Sequence, residues 1–498
     1  MLKQAVIKIM ARLKRNQVVS WAKNPIQTQQ SQFNYLVKKA SKTNFGKDHN
    51  FSESMSYDEF KAKVPVSDYE DLRKYFEQIK LGKKNVLWPG KPIYLAVTSG
   101  TTSGSKYIPI TKESLPNHLN GAKTALLMYI AQTGKIDFIN GKFIFIQGSP
   151  VLSRISGILT GRLSGISAHH IPFYMKRNML PSWSTNIIEE WENKVESIVK
   201  ETVGENMTII SGIPSWLQMY FEKITEKTNR KVSEVFSNFN LLIYGGVNFD
   251  PYRKKFEELI GKEVDSIELF PASEGFFAFQ DSQEKKDLLL ILNAGIFYEF
   301  IDVEDYRNNN LKRVPLWGVK KNKNYVMIIS SSAGLWGYNT GDTVSFTSLK
   351  PYRINVTGRI KQSLSAFGEH VIVKEVEQAI EQAIINTGLM VKEFTVAPIF
   401  KSKSSNACHE WFIEFDEKKV QTSEFAKILD QELQKQNKYY KDLITGKIID
   451  KPVIRKISEN GFKKYMKSIG KLGGQNKIPK IANNRNIADQ LKKLNLIQ

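Results

Sequence analysis

Between two apolar runs, Ile93–Val97 and Tyr107–Ile110, lies Thr98-Ser99-Gly100-Thr101-Thr102-Ser103-Gly104-Ser105-Lys106. Six hydroxyl side chains, two glycines and a lysine share this stretch. Glycine lets a backbone approach an anion closely, hydroxyls donate to its oxygens, and lysine adds positive charge. The chemistry is that of a phosphate-holding loop, although Ser/Thr/Gly-rich turns without any ligand have the same composition. It is not a Walker A loop, because the G-x-x-x-x-G-K-[ST] spacing is absent and a strand, not a helix, is expected to follow.

Three further clusters stand at the ends of apolar runs. Gly245-Gly246-Val247 follows Leu241–Tyr244; paired glycines offer bare backbone to a flat base, or simply end a strand in a turn. Phe270-Pro271-Ala272-Ser273-Glu274-Gly275 brings a carboxylate into a small-residue loop. Glu274 there can ligate Mg²⁺, which binds through one or two carboxylates plus substrate phosphates, or can be solvated surface. Tyr338-Asn339-Thr340-Gly341-Asp342 reads as a turn closed by an aspartate. Such a carboxylate either bonds its own backbone or accepts from both hydroxyls of a ribose.

The elements that must position these groups alternate. Short β-branched runs at Gly141–Gln147, Met207–Ser211, Leu241–Tyr244, Ser266–Phe270, Leu288–Leu292, Phe297–Ile301 and Tyr325–Ser330 read as strands. Helical patterns fall at Lys112–Ile130, Ile187–Val203 and Pro214–Thr228, and residues 16–80 read as helices broken at Pro25, Gly46 and Pro65. Gly148–His170, rich in Gly, Ser and Ile, reads as a loop on the substrate side. The alternation indicates an α/β class with mixed or parallel sheets, and ligand groups at strand ends. After Arg359 the pattern changes to amphipathic helices with few strands, so a boundary is expected at Lys361, giving domains 1–360 and 361–498.

The bulk composition bounds the function. With 498 residues, 41% hydrophobic and 24% charged, the chain is globular and too long for one core. No apolar run of about 18 residues is present, so no membrane span is expected. Met1–Arg15 mixes basic and aliphatic residues at helical spacing and lacks a signal-peptide core. It reads as a first helix docked on its own domain rather than on a membrane surface. A single cysteine, Cys408, excludes a disulfide framework, and His169 and His170 point to different sides of any regular element. The formal charge of +22 is spread along the whole chain, which argues against a nucleic-acid patch.

In this order and spacing the clusters resemble the acyl-acid amido synthetases of the auxin-responsive promoter family, within the adenylate-forming superfamily. The resemblance covers essentially the whole chain. It includes Asn24-Pro25 through Gln29, Thr43-Asn44-Phe45-Gly46, Val64-Pro65, Tyr69, Thr98 to Lys106 and Gly212-Ile213-Pro214-Ser215-Trp216. It continues with Gly245-Gly246-Val247, Ala272-Ser273-Glu274, Phe297-Tyr298-Glu299-Phe300, Gly341-Asp342, Gly358-Arg359, Glu369 and Gln475-Asn476-Lys477-Ile478-Pro479.

The resemblance implies a large N-terminal adenylate-forming domain and a smaller, mobile α+β C-terminal domain. It implies that Thr98, Ser99, Gly100, Thr101, Thr102, Gly104 and Lys106 hold the phosphates of ATP. Gly245, Gly246 and Val247 would line the adenine, with Phe270 stacked on it where tyrosine is commoner. Ala272, Ser273 and Glu274 would face the α-phosphate and Mg²⁺, and Asp342 would grip the ribose with Arg359 in support. Many plant relatives place arginine where Asn339 stands. Lys361 would be the hinge and Lys477 the catalytic lysine brought in by the small domain. The implied reaction joins a carboxylic acid to an amine, in particular an amino acid, through an acyl-adenylate. Acyl-CoA formation from the same intermediate, or a non-catalytic binding role, are the alternatives. A cytoplasmic monomer that binds small molecules and no nucleic acid is expected.

Overall fold

The computed structural model describes every residue except 1, 99–105, 247–248, 361–362, 365, 368, 370, 401–406, 418–419, 446–447, 473–475 and 483. The chain forms two compact units, Met1–Val247 with Lys262–Val356, and Asn248–Gly261 with Thr357–Gln498. It therefore crosses between them three times. A glycine in the left-handed region stands within two residues of each crossing: Gly246 (φ 85°), Gly261 (φ 79°) and Gly358 (φ 130°).

The larger unit is organised on a twelve-stranded sheet. Met179–Leu180, Lys142–Phe145, Met207–Gly212, Leu241–Gly245 and Asp265–Ala272 lie side by side in that order, all parallel. Ile144, Ile210, Leu241, Leu242 and Ile267 are buried along these strands, as parallel sheets covered by helices on both faces require. Gly275–Phe279 then turns back antiparallel on Asp265–Ala272. Leu288–Leu290, Tyr352–Arg359, Tyr338–Leu349, Asn324–Ser331, Ile296–Asp302 and Arg313–Pro315 complete the sheet.

A four-stranded sheet includes the two strands that flank the hydroxyl-rich stretch. Tyr94–Thr98 pairs antiparallel with Lys106–Ile110, Thr98 opposite Lys106, and runs parallel to Ile158–Gly161. The segment expected as a loop over Gly148–His170 is therefore largely structured. It supplies strands Ser153–Ile155 and Ile158–Gly161 and helix Leu163–His169. Ser156 (φ 46°) and Gly157 (φ 80°) make a two-residue turn with both φ positive, the geometry that matches the twist of a hairpin.

Several of the family-like motifs act as fasteners. The Gln29 side chain donates to the Leu292 and Ile296 carbonyls and accepts from the Tyr298 amide. Glu299, wholly buried, pairs with Arg313 at 3.0 Å and accepts from Tyr57 at 2.9 Å. Burial raises the Glu299 pKa, and the Arg313 charge opposes that rise. Arg313 in turn donates to the Val64 carbonyl at 2.5 Å. Buried charges need such partners, since an orphaned one costs several kcal/mol.

The smaller unit carries a three-stranded sheet, Val391–Ile399, Cys408–Phe415 and Asp450–Lys456, the last pair parallel. Helices Val373–Thr387 and Thr422–Gln436 bury Val376, Ile380, Phe425 and Leu429 in its core. The inserted helix Arg253–Ile260 belongs here, with Lys255 paired to Asp416.

Candidate active site

Strand ends bring the first groups together. In the parallel register Gly245 lies opposite Leu269, and an added Cβ on Gly245 would stand 2.4 Å from the Leu269 carbonyl oxygen. Gly245 is therefore the last residue of its strand, not the first of the following turn, and its bare backbone is used by the neighbouring strand. Gly246 follows, exposed. One residue past Leu269, Phe270 is 8% exposed and meets Phe277 edge to face at 5.2 Å. Much of the ring expected to stack on a base is thus enclosed by the core.

Asp265–Ala272 continues through Ala272, and Ser273-Glu274 form a tight turn into Gly275–Phe279. Glu274 is buried at 8% exposure and Ser273 is half-buried. The turn is clamped from behind by helix Leu115–Thr133. Its Asn117 side chain donates to the Phe276 carbonyl at 3.0 Å and accepts from the Phe276 amide at 2.7 Å, as a neighbouring strand would. Gly121 on the same helix lets it approach, since a Cβ there would meet the Phe276 ring at 2.3 Å.

The Asp342 cluster is a bulge inside a strand rather than a turn. Val326 lies opposite Thr343 and Ile328 opposite Asn339, so three residues, Thr340, Gly341 and Asp342, face Met327 alone. Gly341 takes φ 78°, a conformation that costs other residues a Cβ clash. The Asn339 side chain accepts from the Gly341 amide at 2.8 Å and donates to the Tyr306 hydroxyl at 2.9 Å. Thr340 Oγ1 donates to the Met327 carbonyl at 3.1 Å and accepts from the Asp342 amide at 3.1 Å. These contacts fix the direction of Asp342, itself 9% exposed. Bulges re-aim side chains and recur beside active sites.

A short segment ties the hydroxyl-loop hairpin to this bulge. Tyr69 accepts the Tyr107 amide at 3.1 Å, and two residues earlier the Ser67 carbonyl accepts the Asn339 amide at 2.8 Å. The Lys106 ammonium lies 5.7 Å from the Tyr69 ring centroid. Beyond the hairpin, Thr111 donates to the Ser332 carbonyl at 2.7 Å before the chain enters the Asn117 helix. One run of bonded neighbours thus links Thr98 and Lys106, the Glu274 turn and the Asp342 bulge. Ser67 and Asn117 carry no sequence signal of this role, because each binds through or to backbone. Ser99, Gly100, Thr101, Thr102, Gly104, Val247 and Lys361 lie outside the described residues.

Arg359 and Lys477 belong to the smaller unit. Lys477 is half-buried, and the residues after it are held firmly. Thr395 donates to the Pro479 carbonyl at 2.6 Å, and the Val396 amide to the Lys480 carbonyl at 3.0 Å. Lys480 is buried and paired with Glu393. Burial works against its charge, but the Glu393 carboxylate outweighs this and raises the ammonium pKa.

Among the described residues no three His, Cys, Asp or Glu side chains form a metal cage. Mg²⁺ requires none, since it takes one or two carboxylates and fills its octahedron with phosphate oxygens and water. A single buried carboxylate at a strand-end turn, as Glu274 is, fits that pattern.

This arrangement is that of the adenylate-forming fold. Over 96% of this chain and 91% of the other it superposes on a 2-hydroxyisobutyryl-CoA ligase in the postadenylation state, in complex with 2-HIB-AMP (TM-score 0.59, 13% identity). Over 98% of this chain and 96% of the other it superposes on the GH3.15 acyl acid amido synthetase in complex with 2,4-DB (TM-score 0.80, 16% identity). Models of the GH3 family N-terminal, central and C-terminal domains match residues 14–188, 289–359 and 374–486 in turn, and the chain belongs to the GH3 family. It is 23% identical over 354 residues to the jasmonoyl–L-amino acid synthetase JAR4 of Nicotiana attenuata, a match covering 57% of this chain. That match spans 60% of the relative's length.

Proposed function

We propose that the protein is an ATP-dependent ligase that adenylates a carboxylic acid and transfers the acyl group to an amine, in particular an amino acid. The observation that carries this reading is the ordered match of all three GH3 domains on a chain whose Glu274 turn and Asp342 bulge are fastened to the hydroxyl-loop hairpin.

A substrate carboxylate is already ionised at neutral pH, so its attack on the α-phosphate needs no general base. It needs cations and donors where two anions meet. In this reading Thr98 and Lys106 flank the loop that binds the phosphates, and Ser273 donates toward the α-phosphate. Glu274 holds Mg²⁺, whose contribution is to neutralise phosphate charge. Asp342, aimed by its bulge, accepts from the ribose hydroxyls, and Gly246 leaves room beside the base. Lys477 supplies a further cation, and the smaller unit moves between the two steps, since one lysine cannot serve both. We read the protein as a cytoplasmic monomer acting on small molecules, with no nucleic-acid partner.

The decisive experiment is ATP–pyrophosphate exchange over a panel of aryl and aliphatic acids, followed by product analysis with amino acids or with CoA. Exchange together with an amide product supports the ligase. A thioester product moves the assignment to an acyl-CoA ligase, and absence of exchange with every acid removes catalysis.

A further inference from the structure

The first helix, Leu2–Lys23, docks by one face only. Ala11, Val18 and Trp21 are buried, and the helix packs on Leu115–Thr133. A second apolar stripe points to solvent: Val6, Ile9, Met10 and Leu13 are 47%, 61%, 42% and 58% exposed. Their spacing of i, i+3, i+4 and i+7 places them on one line along the helix. The helix contains Lys3, Lys8, Arg12, Lys14, Arg15 and Lys23 and no acidic residue. At about 100° per residue, Lys3 and Lys14 fall on one side of the stripe and Arg12 and Lys23 on the other. The expectation of a helix simply docked on its own domain therefore accounts for only one of its two apolar faces.

We propose that this stripe is a docking surface for an anionic lipid bilayer, on which the helix lies in the interfacial plane. Aliphatic side chains between flanking cations are what an interfacial helix presents, and its depth of insertion is about 5–10 Å. Each flanking cation gains from the negative surface potential, within a Debye length. A second copy of the chain does not suit the surface, because two all-basic helices repel, and the whole chain carries +22. A protein partner would have to bring its own groove, whereas a bilayer needs only the convex stripe and its cations. The proposal is independent of the ligase reading.

The test is flotation of the full-length protein with vesicles of phosphatidylcholine alone or of phosphatidylcholine with phosphatidylglycerol. The protein should float with the anionic vesicles at low salt, detach as salt rises, and ignore the neutral ones. Ile9→Ser/Leu13→Ser should lower partitioning about tenfold, with its melting temperature unchanged. Lys3→Gln/Arg12→Gln, which spares the aliphatic stripe, should also weaken binding and flatten its salt dependence. No flotation on anionic vesicles overturns the proposal, as does equal flotation of the serine variant. Dimerisation of the parent protein in light scattering, lost in the serine variant, overturns it in favour of a second copy.

Discussion

Asn117 bonds both backbone groups of Phe276, at 3.0 and 2.7 Å, and so stands in for a missing strand behind the turn that carries Glu274. Asn117→Ala should leave a buried amide and carbonyl unpaired and cost about 2–3 kcal/mol of stability. Because the turn loses its support, the Mg²⁺ dependence of pyrophosphate exchange should shift to higher concentration as well. Thermal melting with a magnesium titration checks both. A destabilised variant with unchanged magnesium dependence would separate Asn117 from the site.

Gly245 distinguishes sheet packing from nucleotide binding. A methyl group placed 2.4 Å from the Leu269 carbonyl oxygen meets backbone and cannot be absorbed by a rotamer change. Gly245→Ala should cost roughly 2 kcal/mol or more through overpacking. The expected result is a clear fall in melting temperature with or without ATP. A variant that melts normally yet binds ATP weakly would return the glycine to the base.

Asp342 and Gly341 should fail for different reasons. Asp342→Ala is expected to weaken ATP binding by about 1.5–3 kcal/mol, the scale of hydrogen bonds to a charged group, with little loss of fold. Gly341→Ala keeps the carboxylate but strains a residue at φ 78°, at a cost of about 1–2 kcal/mol, and should weaken ATP binding through misdirection. Calorimetric titration of both variants with ATP decides. Undiminished affinity in Asp342→Ala takes that carboxylate out of the site.

Lys477→Ala should lower the rate of exchange far more than it lowers melting, a single substitution of this kind costing about 1 kcal/mol. Lys480→Ala should do the opposite. It removes the buried partner of the half-buried Glu393 and should destabilise the smaller unit by about 1–3 kcal/mol. Equal effects of the two substitutions on melting would contradict this division of roles.

Glu414 gives the smaller unit a pH dependence of known sign. Burial pushes its carboxyl up from the ordinary 4.5 to about 7, against the pull of the Phe462 and Asn460 amides that it accepts. The folded state therefore binds a proton that the unfolded chain has released, and stability falls as pH rises between those two values. The change amounts to about 3 kcal/mol at most. Melting followed from pH 5 to 8 should show the decline, and Glu414→Gln should flatten it.

Much of the strand layout was legible because strands buried on both faces are rich in aliphatic residues, as Leu241–Tyr244 and Met207–Ser211 are. Helix Pro214–Thr228 announced itself by proline in its first turn. The Asp342 bulge was not legible: Asn-Thr-Gly-Asp has turn composition, and only the partner strand makes it a bulge. Ser156-Gly157 carried a hairpin signal that the surrounding small residues obscured. Nor could spacing show that Gln29, Val64 and Glu299 belong to internal fastenings, since the contacts they make span more than 200 positions. Resemblance marked these residues without saying what they do.

The chain passes between the two units at three places, not one. Each of the three connections here has, within two residues, a glycine with positive φ, whose backbone takes torsions that other residues rarely adopt. One connection begins at Gly246, beside the strand end assigned to the base. Replacing Gly246 by a residue with a side chain would therefore restrict the backbone where the strand Leu241–Gly245 hands over to the inserted segment.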